Sequence, residues 1–405
     1  MTTIEAASGS LLRQRNFLVF LSTRTFSRFA SQIAAVAVGW QIYDMTSSAL
    51  VLGLIGLVQF LPTALLVFIA GHAVDRFDRK RVVQICQLVE GAVAIWLTAG
   101  TYGGWLSVPQ IFIAMLVLGT ASAFESPASA ALLPAVVPEG TVQRATATSS
   151  GVAQLAMIGG PAAGGFAYAV APGLPYLIMT LFWLAGAVMV PLVRAARPVP
   201  DASADAGDLY AGLRFVRNSP PILGTISLDL VAVLLGGATA LLPIYARDIL
   251  HTGPWGLGVL RAAPAVGALA MTIVLARHSF ERRVGMRMFQ AVIVFGVATV
   301  VFALSWWIWL SLIALVIMGA ADTVSVVIRT SLVQLATPDP MRGRVGAVNF
   351  LFINASNQIG QFESGVTAAL FGAMPAAAIG GIGTVLVALL WMKLFPSLRD
   401  IERLE

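Results

Sequence analysis

Apolar stretches of about 20 residues follow one another along almost the whole chain, each long enough to cross the roughly 30 Å hydrocarbon layer as a helix. Twelve such spans can be read, at roughly 16–43, 49–71, 82–100, 108–131, 146–170, 175–195, 219–244, 254–276, 287–304, 307–331, 345–372 and 376–395. Barrel strands need only about half that length, so helices are expected. Composition agrees: 58% of the residues are hydrophobic and 11% charged, where a soluble domain carries about 25% charge. The expected fold class is an all-α membrane protein with twelve transmembrane helices. The opening "MTTIEAASGSLLRQRNF" is polar and lacks the short apolar core and cleavage site of a secretory leader. The single cysteine, Cys86, excludes an intramolecular disulfide.

The net charge of +6 reads as topology. Of the 25 Lys and Arg residues, Arg24, Arg28, Arg261 and Arg329 fall inside spans, and Arg247 alone faces one side of the membrane. The remainder lie on the two tails and on the loops of the other side, which the positive-inside rule assigns to the cytoplasm together with both termini. Nucleic acid is not an expected partner. The densest charge is "DRFDRKR" from Asp75 to Arg81, between the second and third spans. A positive-inside loop explains its basic residues; it does not explain Asp75 and Asp78 among them.

The chain repeats itself. "ALLPAVVPEGTVQRATA" from Ala131 aligns with "SLVQLATPDPMRGRVGA" from Ser331, matching Leu132 with Leu332, Pro138 with Pro338, Arg144 with Arg344 and Ala147 with Ala347. Earlier in each half Asn16, Tyr43, Gly56, Pro62 and Arg81 meet Asn218, Tyr245, Gly258, Pro264 and Arg283. Two six-helix halves of the same orientation, residues 1–195 and 219–405, form the parallel repeat of a large class of transporters, whose substrate site lies near the midplane. Residues 196–218 read as a cytoplasmic linker, rich at first in Pro, Ala, Ser and Asp and then able to form a short amphipathic helix from about Gly207.

Gly71, Asp75, Arg76, Arg79 and Lys80 resemble the Gly-x-x-x-Asp-Arg-x-Gly-Arg-Arg/Lys loop of the major facilitator superfamily, with Asp78 standing where the family has Gly. The resemblance implies a cytoplasmic gating loop that latches the two halves in one state and releases them in another. In span five, Gly160, Pro161, Gly164 and Gly165 resemble the superfamily's antiporter signature, although Ala147 and Ala156 replace its upstream glycines. Close helix packing would use the same residues. The stretches "AFESPASAALLPAVVPEGTVQRATA", "AGLRFVRNSP" and "TSLVQLATPDPMRGRVGAVN" are similar to the branch that includes the bacterial enterobactin exporter and macrolide efflux proteins. Met115 occupies the position of an arginine that drug antiporters carry in span four, so a mechanism depending on that arginine does not transfer.

An ionised side chain at a helix centre costs about 2.5–3.5 kcal/mol even on the insertion scale, so the intramembrane charges need a reason. Arg24 and Arg28 lie in span one, Glu125 in four, Asp229 in seven, Arg261 in eight, Asp322 and Arg329 in ten, and Glu363 in eleven, with Glu90 an outlier in three. In the implied fold, spans one, four, seven and ten line the central cavity. Arg24 and Arg28 are one turn apart, Asp322 and Arg329 two, so each pair shares a helix face. Asp229, roughly 15 Å from the cytoplasm at 1.5 Å per residue, is the midplane acid, with Arg28 at similar depth. Burial favours its protonated form and an approaching Arg28 its ionised form. Glu125 and Asp322 are rival proton carriers. Arg261 and Glu363 share a depth that suits an ion pair, and paired ions holding helices together remain an alternative for each of these residues. Phe26, Trp40, Tyr43, Phe60, Met157 and Tyr245 could contact a greasy ligand but suit packing equally.

No phosphate-binding Gly-x-x-x-x-Gly-Lys-Ser/Thr loop occurs, nor His-Glu-x-x-His or Gly-x-Ser-x-Gly, and the histidines (His72, His251, His278) are scattered. A pump, a metalloenzyme and a hydrolase are therefore disfavoured, and neither cofactor nor metal is expected. The expectation is a monomeric secondary transporter of a bacterial inner membrane that exports a small amphipathic molecule, such as a siderophore, drug or metabolite, in exchange for protons. A facilitator or symporter importing a solute is the alternative, and a transport-inactive receptor a more distant one.

Overall fold

The computed structural model describes residues 11–138, 140–195, 209–277, 283–338 and 341–402, with no strand among them. After a 3-10 turn at Leu11–Arg13 come α1 (Arg15–Thr46), α2 (Ala49–Arg76), α3 (Arg79–Gly103), α4 (Val108–Val136), α5 (Val142–Val170) and α6 (Leu174–Met189). A short helix α7 (Leu209–Asn218) precedes α8 (Pro220–Leu235), α9 (Leu242–Ile244), α10 (Gly253–Arg277), α11 (Val284–Ala303), α12 (Ile308–Ala336), α13 (Arg342–Phe371), α14 (Ala373–Leu394) and α15 (Pro396–Arg399). Residues 196–208 of the expected linker lie outside the described residues; its amphipathic helix is α7.

Nine helical segments among the described residues are long and apolar enough to cross a membrane. Of the other expected spans, α1, α5 and α13 have 32, 29 and 30 residues and carry more polar side chains, including Arg24, Arg28 and Glu363. Large apolar side chains such as Leu65, Leu181 and Leu386 stand exposed on the outside of the protein. In water such a surface would aggregate; in a bilayer it meets its solvent.

The chain divides into two compact units, Met1–Met45 with Val58–Pro200, and Thr46–Leu57 with Asp201–Glu405. In the first unit α3 packs against both α4 and α6. The start of α1 is pinned there: Asn16 Nδ2 donates to the carbonyls of Val136 (3.2 Å) and Arg194 (2.6 Å), and Asn16 Oδ1 accepts from the Arg194 N–H at 2.7 Å. Phe17, Phe20 and Leu21 of α1 bury against Leu132, Leu133 and Val136 of α4. In the second unit α12 packs on α10 and α11, while α8 packs on α13 and α14. A Cβ on Gly319 of α12 would collide with the Pro264 carbonyl of α10, so glycine sets how closely these two helices approach.

Span seven departs from the sequence expectation of one continuous helix. α8 ends at Leu235, a 3-10 segment occupies Gly237–Leu241, and a π turn occupies Tyr245–Ile249. The physical reason is local: Gly236 and Gly237 adjoin, and Pro243 follows, so the regular hydrogen-bond ladder lapses where Ala238 N–H turns back to Gly236 O at 2.8 Å. Tyr245 then ties the far part of the span to α11 by donating to Ala303 O at 2.9 Å.

Candidate functional site

Arg24, Arg28 and Glu125 of the first unit lie on facing stripes of α1 and α4. Arg24, Ser27, Arg28 and Ser31 recur at helical spacing on α1, and Ser122, Glu125, Ser126 and Ser129 do so on α4; together they line one polar cavity of about 30 Å³. Glu125 is held from two sides. Its Oε2 accepts from Ser27 Oγ at 2.9 Å, and its Oε1 accepts from Gln87 Nε2 of α3, also at 2.9 Å. Arg24 and Arg28 thus face a common space with Glu125. One turn beyond Gln87 on α3, Glu90 is only 2% exposed, and its Oε2 has no hydrogen-bond partner.

The second unit builds a cavity of about 20 Å³ from Asp229, Ala232, Val233, Val292, Phe295, Asp322, Ser325 and Arg329. Asp322, Ser325 and Arg329 fall at i, i+3 and i+7 on α12, so the α-helical repeat delivers them to one face. Arg329 Nη1 forms an ion pair with Asp229 Oδ1 of α8, both side chains being about nine-tenths buried. Arg329 thus meets Asp229 from across the same unit, a pairing that the sequence did not indicate. Two carboxyl groups and one guanidinium therefore share this cavity. Arg261 lies within α10 and Glu363 within α13, where Glu363 Oε1 accepts from Thr367 Oγ1 at 2.7 Å; neither lines these two cavities.

The charged loop makes several contacts within the first unit. Asp78 has φ −61° and ψ 113°, and its Oδ1 accepts from the Lys80 N–H at 2.9 Å, capping α3. The backbone there needs no glycine, so the departure from the family pattern replaces a turn residue by a helix cap. Arg79 Nη1 donates to Ala131 O (3.1 Å) and Lys80 Nζ to Val193 O (3.2 Å), securing the start of α3 to α4 and to the chain after α6. Gly71 and Arg76 lie in the last turns of α2; the Asp75 side chain is outside the described residues. In α5, Gly160, Pro161, Gly164 and Gly165 are all buried. A Cβ on Gly160 would stand 2.5 Å from Gln32 Cβ, and one on Gly164 would stand 3.2 Å from the Ile33 backbone, so the motif lets α5 lie against α1. Trp40, Tyr43 and Tyr245 are buried in packing contacts, and Phe26 stacks on Phe182 at 5.3 Å.

Sequence reasoning missed Ser27 and Gln87, the ligands of Glu125. Their signal was available: Ser27 and Ser31 alternate with Arg24 and Arg28 on one helical stripe, and Gln87 lies one turn from Glu90.

A family model described as "Transmembrane secretion effector" matches residues 6–404 of the chain. The multidrug efflux pump Tap of Mycobacterium tuberculosis is 26% identical over 409 residues, covering 95% of this chain and 94% of that protein. The enterobactin exporter EntS of Citrobacter koseri is 27% identical over 401 residues, covering 95% and 92%. Among solved structures, a bacterial homologue of the iron transporter ferroportin in an inward-facing state superposes with a TM-score of 0.72 at 16% identity, over 94% of this chain and 98% of that one, a likeness of fold. The chain belongs to the transmembrane secretion effector family of the major facilitator superfamily.

Proposed function

We propose that this protein is a secondary exporter of a bacterial inner membrane, with both termini cytoplasmic, that moves a small amphipathic molecule outward as protons move inward by alternating access. The relatives named as a multidrug efflux pump and an enterobactin exporter, aligned over nearly their whole lengths, support export and an amphipathic cargo. The observation that carries proton coupling is the cavity lined by both Asp229 and Asp322, in which Arg329 is paired with Asp229. One guanidinium neutralises one carboxylate. The other, inside a low-dielectric bundle, is neutralised at least cost by a proton, and the two carboxyl groups titrate as a pair. Exchange of Arg329 from Asp229 to Asp322 would hand the proton the other way, which is the contest a coupling site requires.

The first cavity, with Arg24, Arg28 and five serines around Glu125, suits a polar or anionic group of the cargo. Arg261 and Glu363 are proposed as a stabilising pair of the second half. The loop of Gly71, Asp75, Arg76, Arg79 and Lys80 is proposed as the cytoplasmic gate, and the α5 glycines as the close contact of an antiporter. No cofactor or nucleic acid takes part in this reading, and the working unit is a monomer. The test is transport by the purified protein in vesicles under an imposed proton gradient, across a panel of siderophores, macrolides and lipophilic metabolites. Gradient-driven movement opposite to the protons supports the proposal. Movement of cargo with the protons, or equal movement without any gradient, would replace antiport by symport or facilitation.

A further inference from the structure

A further cavity lies away from the polar faces of the charged helices. It is a groove of about 710 Å³ in the first unit, bordered by Ala73 and Phe77 at the end of α2, by Ile85, Cys86 and Val89 along α3, and by Val117, Ala121 and Phe124 on α4. Its charge is confined to one end, where Asp78 and Arg81 stand. The apolar part opens beside side chains that are themselves exposed on the outer surface, Phe77 and Ile85 among them. A volume in the range of ligand sites, lined by hydrocarbon and open to a bilayer, fills with hydrocarbon and not with water.

Dimensions and charge narrow the occupant. From Asp78 to Val89 the groove follows α3 for about 16 Å at 1.5 Å per residue, close to half of the roughly 30 Å hydrocarbon layer. It is one leaflet deep, with its polar end at headgroup level. At that end the Asp78 carboxylate is already engaged by the Lys80 N–H, while Arg81 is exposed and no described side chain pairs with its guanidinium. Arg79 and Lys80 are likewise spent on carbonyls of the protein itself. Arg81 is thus the cation left to meet an external anion, and guanidinium binds phosphate bidentately.

We propose that this groove is a binding site for an anionic phospholipid, with an acyl chain lying along Ile85, Val89, Ala121 and Phe124 and the phosphate on Arg81. The inference needs only that the chain spans a bilayer and is independent of what it transports.

The test is native mass spectrometry of the purified full chain, delipidated in neutral detergent and then offered phosphatidylglycerol and phosphatidylcholine with identical acyl chains. The wild-type protein should retain phosphatidylglycerol several-fold over phosphatidylcholine. Arg81→Gln should lower that preference to parity while phosphatidylcholine retention stays unchanged, Arg81→Lys should keep most of it, and Arg76→Gln, outside the lining, should leave it intact. Ala121→Phe, which fills the floor of the groove, should lower retention of both lipids. Size-exclusion profiles check folding, and if Arg81→Gln fails to fold, the comparison of Ala121→Phe with wild type decides. Equal retention of the two lipids by the wild type, undiminished preference in Arg81→Gln, or unchanged retention in Ala121→Phe would each overturn the proposal.

Discussion

Asp229 of α8 and Arg329 of α12 form an ion pair in which the two side chains are 8% and 10% exposed, in a cavity also lined by Ala232, Val233, Val292 and Phe295. Removing one partner strands the other as a buried charge, which commonly costs about 3–5 kcal/mol. Arg329→Gln should therefore lower thermal stability strongly, whereas Asp229→Asn should cost less, because Asp322 is in the same cavity to receive the guanidinium. The double variant should be more stable than the sum of the two losses implies. Thermal unfolding of all four proteins measures the coupling, and strict additivity would contradict the pair.

Asp78 caps α3 in an extended conformation that any residue adopts. Asp78→Ala should destabilise by about 0.5–2 kcal/mol and Asp78→Gly by only a few tenths. Denaturation of the two variants side by side checks this. If the glycine variant were the more damaged, the backbone and not the cap would be what matters at this turn.

Gly160 and Gly151 lie on the same helix in opposite circumstances. A Cβ at Gly160 would stand 2.5 Å from Gln32 Cβ, while at Gly151 it would meet nothing within 4 Å. Gly160→Val should cost about 1–3 kcal/mol by overpacking α5 against α1. Gly151→Ala should be neutral or slightly stabilising, since alanine is the better helix former. Melting temperatures of the two variants separate a packing role for the motif from a general intolerance of substitution in α5.

Much of this organisation was legible because lipid leaves few choices. A chain that meets hydrocarbon must satisfy its backbone internally, so hydropathy and length marked the spans, and the scarcity of charge made Asp229, Asp322, Arg329 and Glu125 conspicuous. Helical spacing also indicated that Asp322 and Arg329 share a face. Partners across helices were not legible: depth placed Asp229 level with Arg28, but only the packing of α12 beside α8 shows that Arg329 reaches it. The break at Gly236–Gly237 was hidden because the residues beyond it remain apolar and so read as one continuous span. Ser27 and Gln87 escaped notice because a neutral polar side chain raises no alarm in a hydropathy profile, although two of them hold Glu125 in place. Asp78 read as loop charge because capping depends on backbone geometry, and composition carries none.

The central claim is that two carboxyl groups contend for one guanidinium, leaving one site for a proton. Either Asp322→Asn or Asp229→Asn reduces the cavity to one carboxylate facing one guanidinium, and with it the proton site disappears. The direct measurement is cargo transport by each purified variant in proteoliposomes, with and without an imposed proton gradient, alongside exchange between equal pools of cargo. The account predicts that both variants keep exchange and lose the acceleration by the gradient. Gradient-driven transport at the wild-type rate in either variant would contradict it.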